Sequence, residues 1–309
     1  MSNKGKALVE IEDKLVGYQG PDRIVSSHEL AEELKETDDS VFRLKTGIDR
    51  LDGILNGVEA GEMIIVTGPT GEGKTTALMS ITKNMVEAGV KSVWFTLEVT
   101  PRQFLKKIIK STPDGKELPM FYVPRRGIDN VDEEFLKWWE KKHSKRFEMI
   151  DWIEAKIIEA VTKDNVQVVF IDHIHMIFSL EKMGNRNLSL EIGDMVSKVK
   201  QIALDHNLVI FLIAHNKDAP EGTAREPRKE DIRDSGLISR TADTIIGIWR
   251  IPNDDDGTTS RRKPINEGDT KAKIRVFKNR REGVLGSFVL YHHSHYLSEN
   301  LPDWDDDTF

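Results

Sequence analysis

The sequence contains no cysteine. Disulfide frameworks and cysteine-based zinc modules are therefore excluded, and the composition suits a reducing compartment. No apolar run is long enough to span a bilayer, and Met1-Ser2-Asn3-Lys4-Gly5-Lys6 holds no apolar signal region. The expectation is a soluble cytoplasmic protein without a membrane partner. A basic excess is also lacking, since the net charge is −7, but the acid is concentrated at the ends. Residues 1–40 carry five Lys/Arg against ten Asp/Glu, and residues 299–309 carry five acids and no base, which leaves the middle at +3. Overall acidity is thus no argument against a polyanionic partner. The length of 309 residues suits one large α/β domain with extensions, or two small domains, and a core of that size needs no covalent staple.

What the sequence does have is Gly68-Pro69-Thr70-Gly71-Glu72-Gly73-Lys74-Thr75. The apolar run Met63-Ile64-Ile65-Val66-Thr67 before it reads as a buried strand, and Thr76 to Ala88 after it as a helix. The spacing is that of a P-loop. A nucleoside triphosphate is dense negative charge, which backbone N–H groups surround only where side chains are small and φ can be positive. The helix N-terminus adds unsatisfied donors. Lys74 can reach the β- and γ-phosphates, and the Thr75 hydroxyl can bind Mg²⁺. The nucleotide-binding set is therefore Gly68 through Thr76, with ATP (or dTTP) and Mg²⁺ as cofactors. Gln167-Val168-Val169-Phe170-Ile171-Asp172 is a second buried strand. Its terminal carboxylate reads as the partner of Thr75 at the metal.

Between and around these motifs the pattern alternates strand and helix. Ser92 to Glu98 is a short β-rich run ending in a carboxylate, and Pro101 to Lys110 enters a helix at proline. Residues 131–164 and 189–204 are helical. Within the first of these, Trp138-Trp139 reads as packing. Asn207 to His215 and Thr244 to Arg250 are strands. Lys273 to Lys278 and Gly286 to Tyr291 flank the turn Asn279-Arg280-Arg281-Glu282-Gly283 as a hairpin. Strand–helix–strand order predicts a mostly parallel sheet. Residues 179–188 read as a mobile loop, and residues 216–232 as a long functional loop. Ser26 to Glu36 reads as a short helix with a Ser26/Glu29 capping box, docked on its own domain or on a neighbouring subunit. The expected division is an extension and linker helix over 1–40, the ATPase domain over 41–297 and an acidic tail over 298–309.

The run Asp231-Ile232-Arg233-Asp234-Ser235-Gly236-Leu237-Ile238, then Ala242-Asp243-Thr244, and the later Lys278-Asn279-Arg280 resemble DnaB-type replicative helicases. The strand-end His215 looks more like the helicase half of phage primase-helicases and Twinkle. The resemblance covers roughly residues 40–295. It implies a RecA-like P-loop core in a ring, usually of six subunits, around single-stranded DNA. It also implies an ATP-dependent 5′–3′ helicase that acts in DNA replication.

The resemblance also assigns roles. Glu98 matches the glutamate that activates the attacking water. His215 matches the γ-phosphate sensor, and Lys278 and Arg280 match the pair that reaches a neighbour's nucleotide, Arg280 as arginine finger. Arg250 and Tyr291 match positions flanking the base. Lys217, Arg233, Asp234, Ser235 and Gly236 match loops that track the DNA backbone, whereas composition alone reads them as solvated loop charges. Helix 26–36 resembles the linker that swaps onto the adjacent subunit. No primase module is expected, so any primase is a separate protein, or primers come otherwise.

The tail Asp303-Trp304-Asp305-Asp306-Asp307-Thr308-Phe309 resembles tails of phage replication proteins that dock on a DNA polymerase, while composition reads it as solubilising. A phage protein in an infected host cell fits these features. The competing reading is a RecA/RadA- or KaiC-like ATPase that binds DNA without unwinding it. The Asp231–Gly236 motif and the Lys278/Arg280 hairpin count against it.

Overall fold

The computed structural model describes residues 24–36, 43–111, 121–122, 132–143, 148–173, 188–216, 226–232, 235–256, 268–293 and 295–301. The chain forms two units, Met1–Phe42 and Arg43–Phe309. In the first, α1 (Ser27–Glu36) starts where the Glu29 N–H donates to Ser26 Oγ at 3.1 Å, one half of the expected capping box. The expected mobile loop lies outside the described residues apart from Leu188.

The second unit begins with β1 (Arg43–Leu44), α2 (Asp49–Leu55) and β2 (Val58–Glu59), then β3 (Met63–Gly68) and α3 (Lys74–Glu87). Next come β4 (Ser92–Thr96), α4 (Pro101–Ser111), β5 (Phe121–Tyr122), α5 (Glu133–His143), α6 (Met149–Asp164) and β6 (Val168–Asp172). They are followed by α7 (Leu188–Asp205), β7 (Val209–His215), α8 (Ser235–Thr241) and β8 (Thr244–Ile251). The last elements are β9 (Lys271–Asn279), β10 (Gly286–His293) and β11 (Tyr296–Ser298). Nine strands form one sheet in the order β11-β10-β9-β8-β3-β7-β6-β4-β5. From β8 through β5 the pairs are parallel. From β8 through β11 they are antiparallel.

The sheet therefore has the expected mostly parallel core, but its C-terminal part is longer than a hairpin. β11 is three residues long, too short to leave a periodic signal, and it crosses the expected boundary at 297/298. Glu299 Oε1 then accepts the Arg50 N–H at 2.8 Å, so residues 298–299 belong to the domain. Residues 302–309, including Phe309, lie outside the described residues.

β3 shows why the central strands read as unbroken apolar runs. Met63 and Ile65 pack on one face of the sheet with α6 and α7, and Ile64 and Val66 pack on the other with α2 and α3. On the α3 face an aromatic ladder crosses three strands. Trp94 stacks on Phe170 at 4.7 Å between centroids, and Phe170 on Phe211 at 5.1 Å. Trp94 Nε1 donates to Thr82 Oγ1 at 3.1 Å, which ties the helix after the P-loop to β4, the neighbour of the strand that ends in Asp172. Of the tryptophan pair on α5, Trp139 is buried in the other core, as expected of packing, but Trp138 is exposed beneath Lys142.

Phe170 is fully buried at the centre of this ladder. Phe170→Ala is expected to cost about 3–5 kcal/mol of stability, read as a lower midpoint of denaturant unfolding.

Candidate nucleotide site

The loop between β3 and α3 has the backbone a P-loop requires. Gly68, Gly71 and Gly73 have φ of 151°, 79° and 101°. At Gly68 a second constraint applies, because a Cβ there would lie 2.0 Å from the Ile248 carbonyl oxygen of β8. Any larger residue would force β3 and β8 apart. Lys74 is buried, and its Nζ donates to Gly68 O at 3.0 Å and Pro69 O at 2.8 Å, which holds it across the loop. Burial pushes its pKa down, against the pull of Asp172 and Glu98.

Parallel register brings the other groups to the same edge. Gly68 lies opposite His215, and Thr96 opposite Asp172. Thr75 Oγ1 donates to Asp172 Oδ2 at 2.8 Å. A hydroxyl and a carboxylate in contact are oxygen ligands of the type that a hard divalent cation takes, so these residues fit Mg²⁺. The Lys74 ammonium and the loop's positive-φ glycines fit the phosphates. Burial raises the Asp172 pKa to about 6 against the Thr75 hydrogen bond, with the Glu98 charge adding to the rise.

Beyond Asp172, Glu98 Oε2 lies 3.4 Å from His173 Nδ1, longer than a formed hydrogen bond. The His173 ring meets His215 edge-on at 4.0 Å. One ligand atom from each of Glu98, His173 and His215 falls within 4.8 Å of the others. An exposed carboxylate beside two imidazoles can orient a water and take its proton. Sequence reasoning missed His173. Its signal was its position after the strand-end Asp172, but only the packing of β4 on β6 brings it to Glu98. Asn216, which accepts from Thr67 Oγ1 at 2.6 Å, was missed likewise.

On the other side of β3, the Arg250 N–H donates to Glu72 Oε2 of the P-loop at 3.2 Å, and its guanidinium donates to Asp269 O. The structure does not bring Tyr291 to the loop. Strand alternation puts Tyr291 on the opposite face from Leu290 and His292, and the residue of β10 against the P-loop is His292.

Lys278 and Arg280 sit at the far edge of the sheet. Lys278 Nζ donates to the carbonyls of Ser239 (2.8 Å), Arg240 (3.3 Å) and Ala242, at the end of α8. Burial, then the Arg280 charge, lowers the Lys278 pKa. Arg280 pairs with Asp243 Oδ1 at 3.0 Å and donates to Arg240 O at 2.7 Å. Asp243 also accepts from Lys200 (2.6 Å) and from the Met63 N–H (2.9 Å), which opens β3. The P-loop begins five residues further along, about 16 Å away. The pair thus lies at the edge opposite its own P-loop.

Of the loop residues read as DNA contacts, Lys217, Arg233 and Asp234 lie outside the described residues. Ser235 and Gly236 open α8, and a Cβ built on Gly236 meets nothing within 4 Å. Asn216 and Ile232 form an isolated antiparallel bridge, which sets the residue before Lys217 beside the residue before Arg233.

The raised pKa of Asp172 carries a sign. Between pH about 4 and about 6 the unfolded chain loses this proton before the folded one, so stability falls as pH rises through that window. Asp172→Asn removes the buried ionisation and keeps an oxygen for Thr75. In EDTA at pH 7 the variant is expected to be more stable than the wild type, by on the order of 2–3 kcal/mol. Added Mg²⁺ is expected to raise the melting temperature of the wild type only. Equal melting of the two proteins in EDTA would contradict this account of Asp172.

The chain resembles known proteins along most of its length. Residues 43–298 match the family described as DnaB-like helicase C terminal domain. The replicative DNA helicase DnaB of Mycoplasma pneumoniae is 24% identical over 253 residues, 75% of this chain and 53% of that protein. The DnaB of Rickettsia prowazekii is 24% identical over 298 residues, 84% of this chain and 58% of its own. The chain thus spans little more than half the length of these curated relatives. Among solved structures, one described as an ATPase domain is similar at 18% identity and TM-score 0.62, covering 89% of this chain and 96% of that one. A DnaB-like replicative helicase, described with its primase interactions, has 20% identity and TM-score 0.62, over 96% of this chain and 71% of that one. A KaiC-like protein from Pyrococcus horikoshii has 17% identity and TM-score 0.53, over 83% and 97%. At these identities the solved structures establish the RecA-like ATPase fold alone. The family match, across the P-loop, Asp172, the Asp231–Gly236 motif and the Lys278/Arg280 hairpin, shows that the chain belongs to the DnaB-like helicase C-terminal domain family.

Proposed function

We propose that this chain is the motor of a replicative DNA helicase, a ring of copies that hydrolyses ATP (or dTTP) with Mg²⁺ and moves along single-stranded DNA. The observation that carries the reading is the division of the site between two edges of one sheet. The phosphate loop, Asp172, Glu98 and His215 share the carboxyl edge, and Lys278 and Arg280 lie at the opposite edge. A residue needed at the γ-phosphate must then come from another copy, and head-to-tail contacts of that kind form a ring when their rotation closes and a filament when it does not.

In this reading the amides of Gly68–Thr76 and Lys74 hold the triphosphate, and Thr75 with Asp172 holds the Mg²⁺, which screens phosphate charge. Glu98 takes a proton from water as the water oxygen attacks the γ-phosphorus. The bond from that phosphorus to the β–γ bridging oxygen breaks, and ADP leaves with the electron pair. His215 senses the γ-phosphate. Lys278 and Arg280 of the next copy neutralise charge that develops on the transferring group. Lys217 and Arg233–Gly236 grip the DNA backbone. Their link to hydrolysis is α8, which begins at Ser235 and whose last carbonyls hold Lys278 and Arg280. The helix is about 10 Å long, so a shift at the DNA end moves the other end with it.

Other elements of the reading rest on resemblance. These are a ring of six, movement 5′ to 3′, α1 docked on the adjacent copy, and the tail ending in Phe309 docked on a DNA polymerase. A similar DnaB-like helicase is described with primase, so a separate primase is proposed as a partner.

The test is unwinding of a forked duplex with ATP and Mg²⁺. Arg280→Ala is expected to abolish unwinding and to lower DNA-stimulated turnover by about 10³-fold, with nucleotide affinity retained. Turnover on single-stranded DNA without unwinding by the wild type would favour a KaiC- or recombinase-like ATPase instead.

A further inference from the structure

The edge that carries the P-loop also carries a half-buried group with no role so far. His292 lies near the end of β10, and its backbone N–H donates to Thr270 O at 2.7 Å. Its ring faces α3, in phase with the buried Phe288 and Leu290. The imidazole lies against the P-loop, since a Cβ built on Gly73 would stand 3.4 Å from both Cε1 and Nε2. Nε2 is buried and has no hydrogen-bond partner among the described residues. A buried polar atom of this kind costs about 1–3 kcal/mol if nothing ever bonds to it.

The direction of the nucleotide follows from the sheet order. Thr75, Asp172, Glu98 and His215 fix the metal and γ-phosphate end on the β7-β6-β4 side of the P-loop strand. The nucleoside must then extend to the other side, over β8 and β10. Two side chains on the P-loop face of those strands are at hand there. One is Arg250, whose N–H bonds to Glu72, and the other is His292. Both stand at the carboxyl edge, because β10 runs parallel to β8 through the antiparallel β9.

Resting on the proposed nucleotide reading, we propose that His292 is a nucleoside contact, which hydrogen-bonds through Nε2 to the sugar–base end of the bound nucleotide and helps set its affinity. Burial and then the Arg250 charge push the imidazole down to about 4, so the ring stays neutral when the nucleotide binds. A neutral ring offers one donor and one acceptor, which suits hydroxyls and base edges and gives nothing to a phosphate that Lys74 does not give better.

The experiment compares equilibrium binding of ATP and of inorganic tripolyphosphate to the full chain with Mg²⁺. His292→Ala is expected to weaken ATP about tenfold and to leave tripolyphosphate within about twofold. His292→Gln, which places an amide near the Nε2 position, is expected to recover most of the loss. If the alanine variant does not fold, His292→Leu carries the same test with similar bulk. Unchanged ATP affinity in the alanine or leucine variant would overturn the proposal. So would an equal loss of ATP and tripolyphosphate, which would mean that His292 braces the phosphate loop. A wild type that binds neither compound would remove the nucleotide reading itself, an outcome distinct from both.

Discussion

The register of the parallel strands is the constraint on which the site depends. β3, β7, β6 and β4 end at one edge, and each ends in or beside a group with chemistry to do. The pairing of Gly68 with His215 and of Thr96 with Asp172 places the P-loop, His215 and Asp172 at one edge without any long side chain having to reach. A slip of one residue would turn Phe170 and Phe211 to the other face and move Asp172 off Thr75. The aromatic ladder from Trp94 to Phe211 holds that register, and the Trp94–Thr82 hydrogen bond carries it to the helix after the P-loop.

The opposite edge is organised by Asp243. One carboxylate accepts from the start of β3, from Lys200 on α7 and from Arg280 after β9. The sheet therefore has a polar cluster at each end, held by one set of strands. At one end Asp172 stands beside Thr75, and at the other Lys278 and Arg280 rest on the carbonyls that close α8. In the proposed ring, the sheet between them would carry a change at one interface to the next.

The local features were legible in the sequence. The P-loop and the strand ending in Asp172 each carry their signal within about eight residues, in glycine spacing or in an apolar run that stops at a carboxylate. The central strands followed from apolar runs and the turn residues between them. What the sequence hid was set by contacts between distant residues or by alternation in a strand apolar in both phases. Phe288 and Leu290 alternate with Val289 and Tyr291, so nothing in the run says that His292 and not Tyr291 meets the loop. His173 gains meaning only beside Glu98, and Asp243 only beside Met63, 180 positions earlier. β11 was too short to announce itself, which is why the domain extends past residue 297.

The central claim is that each complete site is shared by two copies. Mixing two inactive variants tests it most directly. Lys74→Ala has no working phosphate loop but an intact Arg280, and Arg280→Ala has the reverse. In a mixed assembly, an Arg280→Ala copy beside a Lys74→Ala neighbour has a complete site between them. The account predicts that single-stranded-DNA-stimulated ATP turnover reappears on mixing, well above that of either variant alone. A mixture that co-assembles and stays as inactive as its components would contradict it.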